Sequence, residues 1–393
     1  MSNVYVIDNG AYSIKIEHAE KTEPRIIPNC IMKAKSEKRR AFIGNQIDEC
    51  RDASGLFYIL GFQKGYLINW EAQKTVWDYV FSDQCCKVNF KDSSVIVTEP
   101  YFNFSSIQEA MTEIFFEEYE CHSLLRINPG DLSAHHYSTT YTKVICCLVV
   151  DSGYSFTHII PYINGKKYKK GIIRIDVGGK LLTNHLKEVI SYRQLHVMDE
   201  TYVINQVKED VCYVSCDFNK DMIISQKKGK ENTIAQNYVL PDYTTVRRGY
   251  ALPTDQSGQT DNQHLQLSNE RFTVTELLLH PSDVGIKQMG ISEAIVASVN
   301  SCPQETHSYL YNNIVLTGGN MKFAGIEKRI YMEVRSYVPE EYDVSIHLPS
   351  DPVTYVWQGG VQLSRSSNFY SHLVTKEQYE EEGTQICYVK FDV

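Results

Sequence analysis

The sequence predicts an α/β fold that is built twice, as two lobes around a cleft. The chain has 393 residues, more than one ordinary hydrophobic core accommodates, so two lobes are expected. Strand-like and helix-like segments alternate along it. An apolar, β-favouring run that ends in Asp-x-Gly occurs at residues 4–10 and again at residues 148–153, with the two aspartates 143 residues apart (151 minus 8).

Each of these two runs has the composition of a phosphate-binding hairpin. Gly permits a tight turn whose N–H can face an anion, and Asp can hold a hydrated divalent cation between itself and the phosphates. Two such hairpins predict that the halves of a duplicated fold grip a nucleotide between them. The candidate residues are Asp8, Asn9 and Gly10 in the first hairpin and Asp151, Ser152 and Gly153 in the second.

The segments between and after the hairpins alternate between helical periodicity and glycine turns. A capping-box pattern opens an amphipathic helix in the first half, and two apolar stripes of helical spacing follow the second hairpin. A weakly periodic, polar stretch predicts an exposed loop, and a third apolar strand ends in Gly318-Gly319. In order, these segments are residues 106–115, 182–190, 200–218, 243–264 and 314–320.

Composition excludes several function classes. The net charge of −9 argues against a dominant nucleic-acid-binding surface. The chain lacks a run of ~20 apolar residues that would span a membrane, and a strand at its very start argues against a signal peptide. Its 11 cysteines form no C-x-x-C motif and are interpreted as reduced thiols.

Two basic runs interrupt the acidic average, at residues 33–40 and 166–170. Each run taken alone is interpreted as a solvated loop or turn. Contact with DNA phosphate, or a nuclear-import signal, stays open for both.

Six motifs in a fixed order resemble the actin family. They are Asp8-Asn9-Gly10 with Lys15, Asp151-Ser152-Gly153 with Thr157-His158, and residues 207–214, 269–272, 315–319 and 356–360. The motifs cover nearly the whole chain. The resemblance implies a duplicated ribonuclease-H-like actin fold with two lobes around a nucleotide cleft. Residues 55–60, 99–104 and 192–200 are most similar to one divergent nuclear branch of the family.

The resemblance also implies the division of the chain. The N-terminal lobe takes residues 1–142, with an outer subdomain at 32–61, and residues 346–393 pack back on it. The C-terminal lobe takes residues 143–345, with an outer subdomain at 176–266.

A nucleotide site follows from the same resemblance. The implied ligand is ATP or ADP with Mg²⁺, and an empty cleft stays open as an alternative. Asp8 and Asp151 would hold the metal through water. The nucleotide-binding residues carried over are Asp8, Asn9, Gly10, Lys15, Asp151, Ser152, Gly153, Lys208, Glu209, Gly318 and Gly319.

Departures from the actin pattern argue against catalysis. Tyr12 and Tyr154 replace small or acidic loop residues beside the phosphates, where they either fill space or point outward. Pro129 stands where actins carry a Gln that orients the attacking water, and proline offers no side-chain donor or acceptor. The second water-orienting residue survives as His158. Val353 replaces a Lys beside the base. The chain is therefore predicted not to be an enzyme.

The outer subdomain at 32–61 does not resemble the segment through which actins contact the next subunit, so filaments are not expected. The resemblance then implies a non-catalytic scaffold subunit of a nuclear chromatin-remodelling complex that exchanges histone 2A for its Z-type variant. Implied partners are a zinc-finger subunit and the remodeller ATPase, with nucleosomal DNA or histones as further contacts and no membrane. The implied roles are heterochromatin organisation and transcription regulation. The implied location is the nucleus, with a cytoplasmic pool left open.

Two other function classes compete with this hypothesis. A polymerising cytoskeletal actin-like ATP-binding protein is disfavoured by Tyr12, Pro129 and Tyr154. A sugar-kinase-like phosphotransferase is disfavoured by the lack of an evident catalytic acid beside a sugar pocket. ATPase turnover and salt-induced sedimentation discriminate these alternatives.

Overall fold

The first part of the chain builds one mixed sheet and a small outer sheet. A computed structural model describes residues 3–37, 40–141, 144–253 and 262–393. Part of the first basic run (Lys38 and Arg39) and residues 254–261 of the predicted loop lie outside the described residues. The elements are β1 (Asn3–Asn9), β2 (Ser13–His18), β3 (Arg25–Pro28), β4 (Cys30–Lys33), β5 (Ala41–Ile43), β6 (Phe57–Leu60), β7 (Phe62–Gln63), β8 (Tyr66–Leu67), α1 (Trp70–Phe81), β9 (Ser93–Thr98), α2 (Ser105–Glu113), β10 (Ser123–Ile127) and α3 (Pro129–Thr140).

The second part repeats this plan and then returns to the first sheet. Its elements are β11 (Cys146–Ser152), β12 (Thr157–Ile163), β13 (Lys166–Lys167), β14 (Ile173–Ile175), α4 (Gly179–Arg193), α5 (Thr201–Val211), α6 (Phe218–Ser225), β15 (Gln236–Val239), β16 (Tyr250–Ala251), β17 (His264–Leu267), α7 (Glu270–Glu276), α8 (Ile291–Asn300), α9 (His307–Tyr311), β18 (Ile314–Thr317), α10 (Ile326–Tyr337), β19 (Ile346–His347), α11 (Tyr355–Ser364), α12 (Phe369–His372), β20 (Val374–Thr375), α13 (Lys376–Glu382) and α14 (Gln385–Lys390).

The two large sheets share one topology. The first has the order β20-β10-β9-β1-β2-β3, and the second has the order β13-β12-β11-β18-β19 with β14 also paired to β12. In each, the hairpin is antiparallel and its first strand has a parallel partner, β9 for β1 and β18 for β11. Asp8 lies opposite Lys15 in the first hairpin, and Asp151 lies opposite His158 in the second. The predicted duplicated α/β fold is confirmed.

Each large sheet has its own core. Val6, Ile96 and Leu124 of the first sheet pack with residues from the end of the chain, among them Trp357 and Phe369. A second core collects the apolar positions of β11, β18 and the helices around them. The outer sheet β5-β4-β6 has a small core of its own. The numerical domain boundaries given above stay predictions.

Helix α11 carries the motif at residues 356–360, including the buried Trp357. It packs on α3 and β1 through two glycines without side chains. A Cβ on Gly359 would lie 2.2 Å from the Leu132 carbonyl oxygen, and one on Gly360 would lie 2.4 Å from Val6 Cγ1. Glycine is therefore needed at both positions for this close approach.

Two helix boundaries differ from those expected. Helix α2 begins at Ser105 with Phe104 as its N-cap, so the predicted capping box at Ser106 does not form. Helix α5 ends at Val211, not near residue 218, because the next N–H groups bond elsewhere: Tyr213 donates to Arg271 and Val214 donates to Ala324. Gly319 begins a short 3₁₀ turn.

The second basic run is not a solvated turn throughout. The Lys167 side chain is buried, and its ammonium donates to Asn128 Oδ1 at 2.7 Å and pairs with Asp131 at 3.1 Å. Lys169 pairs with Asp392 at 2.7 Å. These two lysines tie the end of the chain to the lobes. Among the described residues, no helix is long and apolar enough to cross a membrane.

Candidate nucleotide-binding cleft

A cavity of about 620 Å³ opens between the two hairpins. It brings together ten of the eleven predicted site residues: Asp8, Asn9, Gly10, Lys15, Asp151, Gly153, Lys208, Glu209, Gly318 and Gly319. Ser152 lies behind the cavity wall. Its hydroxyl bonds the Thr157 hydroxyl at 2.7 Å and accepts from Asn320 Nδ2 at 3.0 Å, so Ser152 supports the second hairpin from behind.

The first hairpin holds its carboxylate from two sides. Lys15 Nζ lies 3.2 Å from Asp8 Oδ2, which the antiparallel register makes possible. The Thr98 hydroxyl donates to Asp8 Oδ1 at 2.9 Å and accepts the N–H of Asn9 at 2.9 Å. The Asn9 side-chain oxygen is occupied within the protein, because it accepts from Asn29 and Trp77. The Asn9 Nδ2, by contrast, has no hydrogen-bond partner among the described residues.

The third glycine turn lies directly on the second hairpin. Gly318 has φ +93°, and a Cβ there would lie 2.2 Å from the Ser152 carbonyl oxygen. Asn320 adds a hydrogen bond from Nδ2 to the Gly153 carbonyl at 2.8 Å. Only glycine meets both the backbone and the space requirement at residue 318. The turn and the hairpin thus form one wall of the cavity.

The two aspartates face the same cavity from opposite lobes. Burial, followed by the charge of Asp8, raises the pKa of Asp151 to about 6, while Lys15 acts in the opposite direction. Unlike Asp8, Asp151 has no cationic strand partner, since its partner His158 is neutral at this depth. A hydrated divalent cation would relieve this repulsion, so the pair fits a metal held through water.

The described residues contain no group of three or more His, Cys, Asp or Glu suited to a metal. Such an ion would need water and ligand oxygens to complete its coordination. Asp8 and Asp151 are therefore suited to a metal that arrives with phosphates.

The Lys208 side chain forms its hydrogen bonds within its own lobe. Its ammonium donates to Gly179 O at 3.2 Å, to Thr183 Oγ1 at 2.9 Å and to Asn205 Oδ1 at 2.9 Å. Burial lowers its pKa to about 8. Because an ammonium has three N–H donors, none remains free for a base in this arrangement. Lys208 orders the pocket wall, whereas Glu209 accepts one hydrogen bond from Asn205 at 2.8 Å.

The whole chain matches one family model. That model, described as Actin, covers residues 1–392. The chain belongs to the actin family. Members of this family generally bind a nucleotide with a divalent metal.

Three curated actin-family relatives illustrate the similarity. The chain is 48% identical to actin-related protein 6 of Drosophila melanogaster over 389 residues, which cover 97% of this chain and 98% of the relative. It is 37% identical to actin-like protein ARP6 of Cryptococcus neoformans, over 99% and 84% of the two chains. It is 35% identical to actin-related protein 6 of Arabidopsis thaliana, over the full length of both.

Two tyrosines meet at the mouth of the cleft. Tyr12 and Tyr154 come from the two hairpin loops, and their rings meet across the cleft with centroids 5.2 Å apart and an angle of 37° between planes. The Tyr12 hydroxyl accepts from Asn205 Nδ2 at 3.0 Å. The sequence left open whether these tyrosines fill the space beside the phosphates or point outward, and neither alternative fully describes this arrangement. The tyrosines bridge the cleft mouth while Tyr12 stays 49% exposed.

Pro129 and His158 are the two positions that the resemblance assigns to water orientation. Pro129 begins α3 and lines the cavity, where it contributes only apolar surface. His158 is fully buried behind Phe156, with ring centroids 4.3 Å apart, and is not among the cavity-lining residues. Neither ring nitrogen of His158 has a hydrogen-bond partner among the described residues, and burial lowers its pKa to about 3.

Sequence reasoning missed three polar residues of the cleft. Thr98 ends a buried strand, and only the pairing of β9 with β1 places it beside Asp8. Asn320 directly follows the Gly318-Gly319 turn, and this position in the sequence could have identified it as a residue of the cleft. Asn205 lies one helical turn before Lys208, and its contact with Tyr12 depends on the approach of the two lobes.

Proposed function

We propose that this actin-family chain is a non-catalytic scaffold subunit of a nuclear chromatin-remodelling complex that exchanges histone 2A for its Z-type variant. The supporting observation is an actin-family fold in which Pro129, at the position that the resemblance assigns to a water-orienting Gln, has no polar side chain, while His158 is buried behind Phe156. The nuclear role itself rests on the resemblance to actin-related protein 6.

The cleft supports nucleotide retention better than turnover. Asp8, Lys15, Asp151 and the glycine turns provide the charge and backbone needed to hold phosphate and metal. Hydrolysis would require a water aligned on the terminal phosphate, and Pro129 supplies no polar group for that purpose. We therefore infer that ATP or ADP with Mg²⁺, when bound, serves as a structural ligand.

The proposed partners are a zinc-finger subunit and the remodeller ATPase, with nucleosomal DNA or histones as further contacts. The first basic run is partly engaged within the chain, because Lys35 pairs with Asp199 at 3.2 Å and Arg40 pairs with Glu49. In exposed pairs of this kind, another anion can readily replace the carboxylate, since each pair contributes only ~0–1 kcal/mol. They are therefore compatible with a contact to DNA phosphate, which should weaken as salt rises.

Depletion in cells and affinity purification test the proposed role. Depletion should lower the Z-type histone variant at its usual chromatin sites, and purification should return remodeller subunits from nuclear extract. Recovery of monomer or filaments only, with unchanged occupancy of the variant, would overturn the proposal.

Salt-induced sedimentation tests the cytoskeletal alternative. A scaffold subunit should stay in the supernatant under conditions that pellet a polymerising actin. Robust pelleting would favour the filament-forming alternative instead.

A further inference from the structure

We propose that the cleft is held closed by contacts within the chain itself, so that closure does not require a bound nucleotide. These contacts form an interlobe clasp with three parts: an outer contact (Lys35 and Gly55 with Asp199 and Glu200), an inner contact (Tyr12 with Tyr154 and Asn205) and a side contact (residues 64–66 with Phe156 and Arg174). The proposal concerns the cleft alone and is independent of the nuclear role.

The outer contact joins the two outer subdomains. The Gly55 N–H donates to both carboxylate oxygens of Glu200, at 3.1 and 3.0 Å, although 145 residues separate the two. Lys35 adds an ion pair with Asp199 at 3.2 Å. A charge-assisted hydrogen bond to a backbone N–H is both stronger and more directional than an exposed ion pair. Gly55 and Glu200 also belong to two of the three segments that are similar to the divergent branch of the family.

Apolar surface accompanies the outer contact. The small core under β4, β5 and β6 includes Met32 and Phe42, and three tyrosines pack against it. Tyr58 comes from the same subdomain, but Tyr202 and Tyr243 come from the opposite lobe. Side chains from both lobes therefore share one apolar cluster at the cleft mouth, and separating the lobes would expose it to water.

The inner contact links closure to the base side of the cleft. Asn205 Nδ2 donates to the Tyr12 hydroxyl at 3.0 Å and to Glu209 Oε1 at 2.8 Å, while Asn205 Oδ1 accepts from Lys208. With the ring contact between Tyr12 and Tyr154, this amide connects the first hairpin loop to α5. All the hydrogen-bonding capacity of Asn205 on the Nδ2 side is used in the closed form.

The side contact is independent of the other two. Arg174 Nη2 donates to the Lys64 carbonyl at 2.8 Å, and its guanidinium lies over Tyr66 at 4.9 Å and over Phe156 at 4.6 Å. Gly65 makes this approach possible, because a Cβ there would lie 1.9 Å from Phe156 Cε1. Three separate contacts must therefore break before the lobes part. A ligand shifts such an equilibrium only by its differential affinity, so a chain that already favours closure responds little to nucleotide.

Amide hydrogen exchange of the full chain, stripped of nucleotide and metal, tests the clasp. The Gly55 amide should be protected in the wild type and exposed in Glu200→Ala. Tyr12→Ala should accelerate exchange at Gly55 roughly tenfold, the order expected for loss of one aromatic contact and one hydrogen bond. Tyr192→Ala should leave it unchanged, since Tyr192 is a tyrosine 93% exposed outside the clasp.

Folding controls keep the result decisive. The amide of Val149 in the central strand β11 should stay protected in every variant, and Tyr12→Phe retains the ring while removing the hydroxyl. If Tyr12→Ala fails to fold, the comparison of the wild type with Glu200→Ala decides. Exchange at Gly55 in the nucleotide-free wild type as fast as in Glu200→Ala would overturn the proposal. Protection that arises only on addition of ADP with Mg²⁺ would also overturn it.

Discussion

Asp8 and Asp151 face one cavity from opposite lobes, and the charge of Asp8 adds to burial in raising the pKa of Asp151 to about 6. Asp8 itself is paired with Lys15, whereas Asp151 lies opposite a neutral His158. The two hairpins share the same backbone pairing, but the charges around their aspartates differ. The second carboxylate is therefore the one that gains most from an incoming cation.

The first prediction concerns the substitution Asp151→Asn. The raised pKa means that the folded chain holds the Asp151 proton more tightly than the unfolded chain does. Protonated Asp151 therefore favours folding at low pH, and this contribution to stability is lost as the pH rises through about 6. Asn carries no charge, so Asp151→Asn removes the cost of burying a carboxylate near Asp8. The ligand-free chain should therefore become more stable at neutral pH, by on the order of 1 kcal/mol. The same change should abolish any stabilisation by ADP with Mg²⁺. Thermal unfolding with and without that ligand measures both effects.

The exposed residue Asp83 offers a matched control for this experiment. Its side chain is solvated, so Asp83→Asn should alter neither quantity. A lower melting temperature for ligand-free Asp151→Asn would contradict the assigned repulsion.

The second prediction concerns Pro129 and hydrolysis. Steady-state phosphate release by the wild type should be negligible beside that of a polymerising actin. Pro129→Gln should raise it only slightly, since Gln supplies one orienting group while His158 stays behind Phe156. The first position of a helix tolerates either residue, so folding should be unaffected. Pro339→Gln on the surface serves as control, and actin-like turnover in the wild type would refute the prediction.

The third prediction compares two adjacent glycines. Gly318→Ala places a Cβ against the Ser152 backbone in a left-handed conformation, so it should lower the free energy of unfolding by about 1–3 kcal/mol. A Cβ on Gly319 would meet no atom of the described residues within 4 Å, so Gly319→Ala should change the free energy of unfolding by less than about 1 kcal/mol. Urea denaturation measures both values. Equal effects at the two positions would show that the contact with Ser152 is unimportant.

The fourth prediction is a pH dependence carried by Lys208. Burial lowers its pKa to about 8, so between that pH and its ordinary pKa the unfolded chain binds more protons than the folded chain. Stability contributed by this group should therefore rise with pH in that window. Lys208→Met should be destabilising, because it leaves the acceptors on Gly179, Thr183 and Asn205 unpaired.

The difference between wild type and Lys208→Met isolates this group from the other titrating residues. That difference in unfolding free energy should grow by roughly 2 kcal/mol between pH 7.5 and 9.5. Exposed Lys180→Met is the control. A constant difference across the window would contradict the lowered pKa.

Much of the cleft was predictable because its parts are local. Both strands that end in Asp-x-Gly continue into an antiparallel hairpin, and the offset of Lys15 from Asp8 places these two residues opposite each other. The same reasoning misjudged α5, since the residues after Val211 bond to distant partners instead of continuing the helix. It also misjudged Lys167, whose burial depends on Asp131 and the end of the chain.

The sequence by itself determined the duplicated fold and the paired hairpins, because periodicity and turn chemistry act over a few neighbouring residues. Its resemblance to the actin family supplied the other predicted residues that line the cavity, among them Lys208 and Glu209. Only the tertiary structure decided that the rings of Tyr12 and Tyr154 meet and that the Gly55 N–H binds Glu200. It also decided that His158 is buried behind Phe156. Each of these contacts depends on how elements far apart in the chain pack, and no local pattern encodes the distance between two lobes.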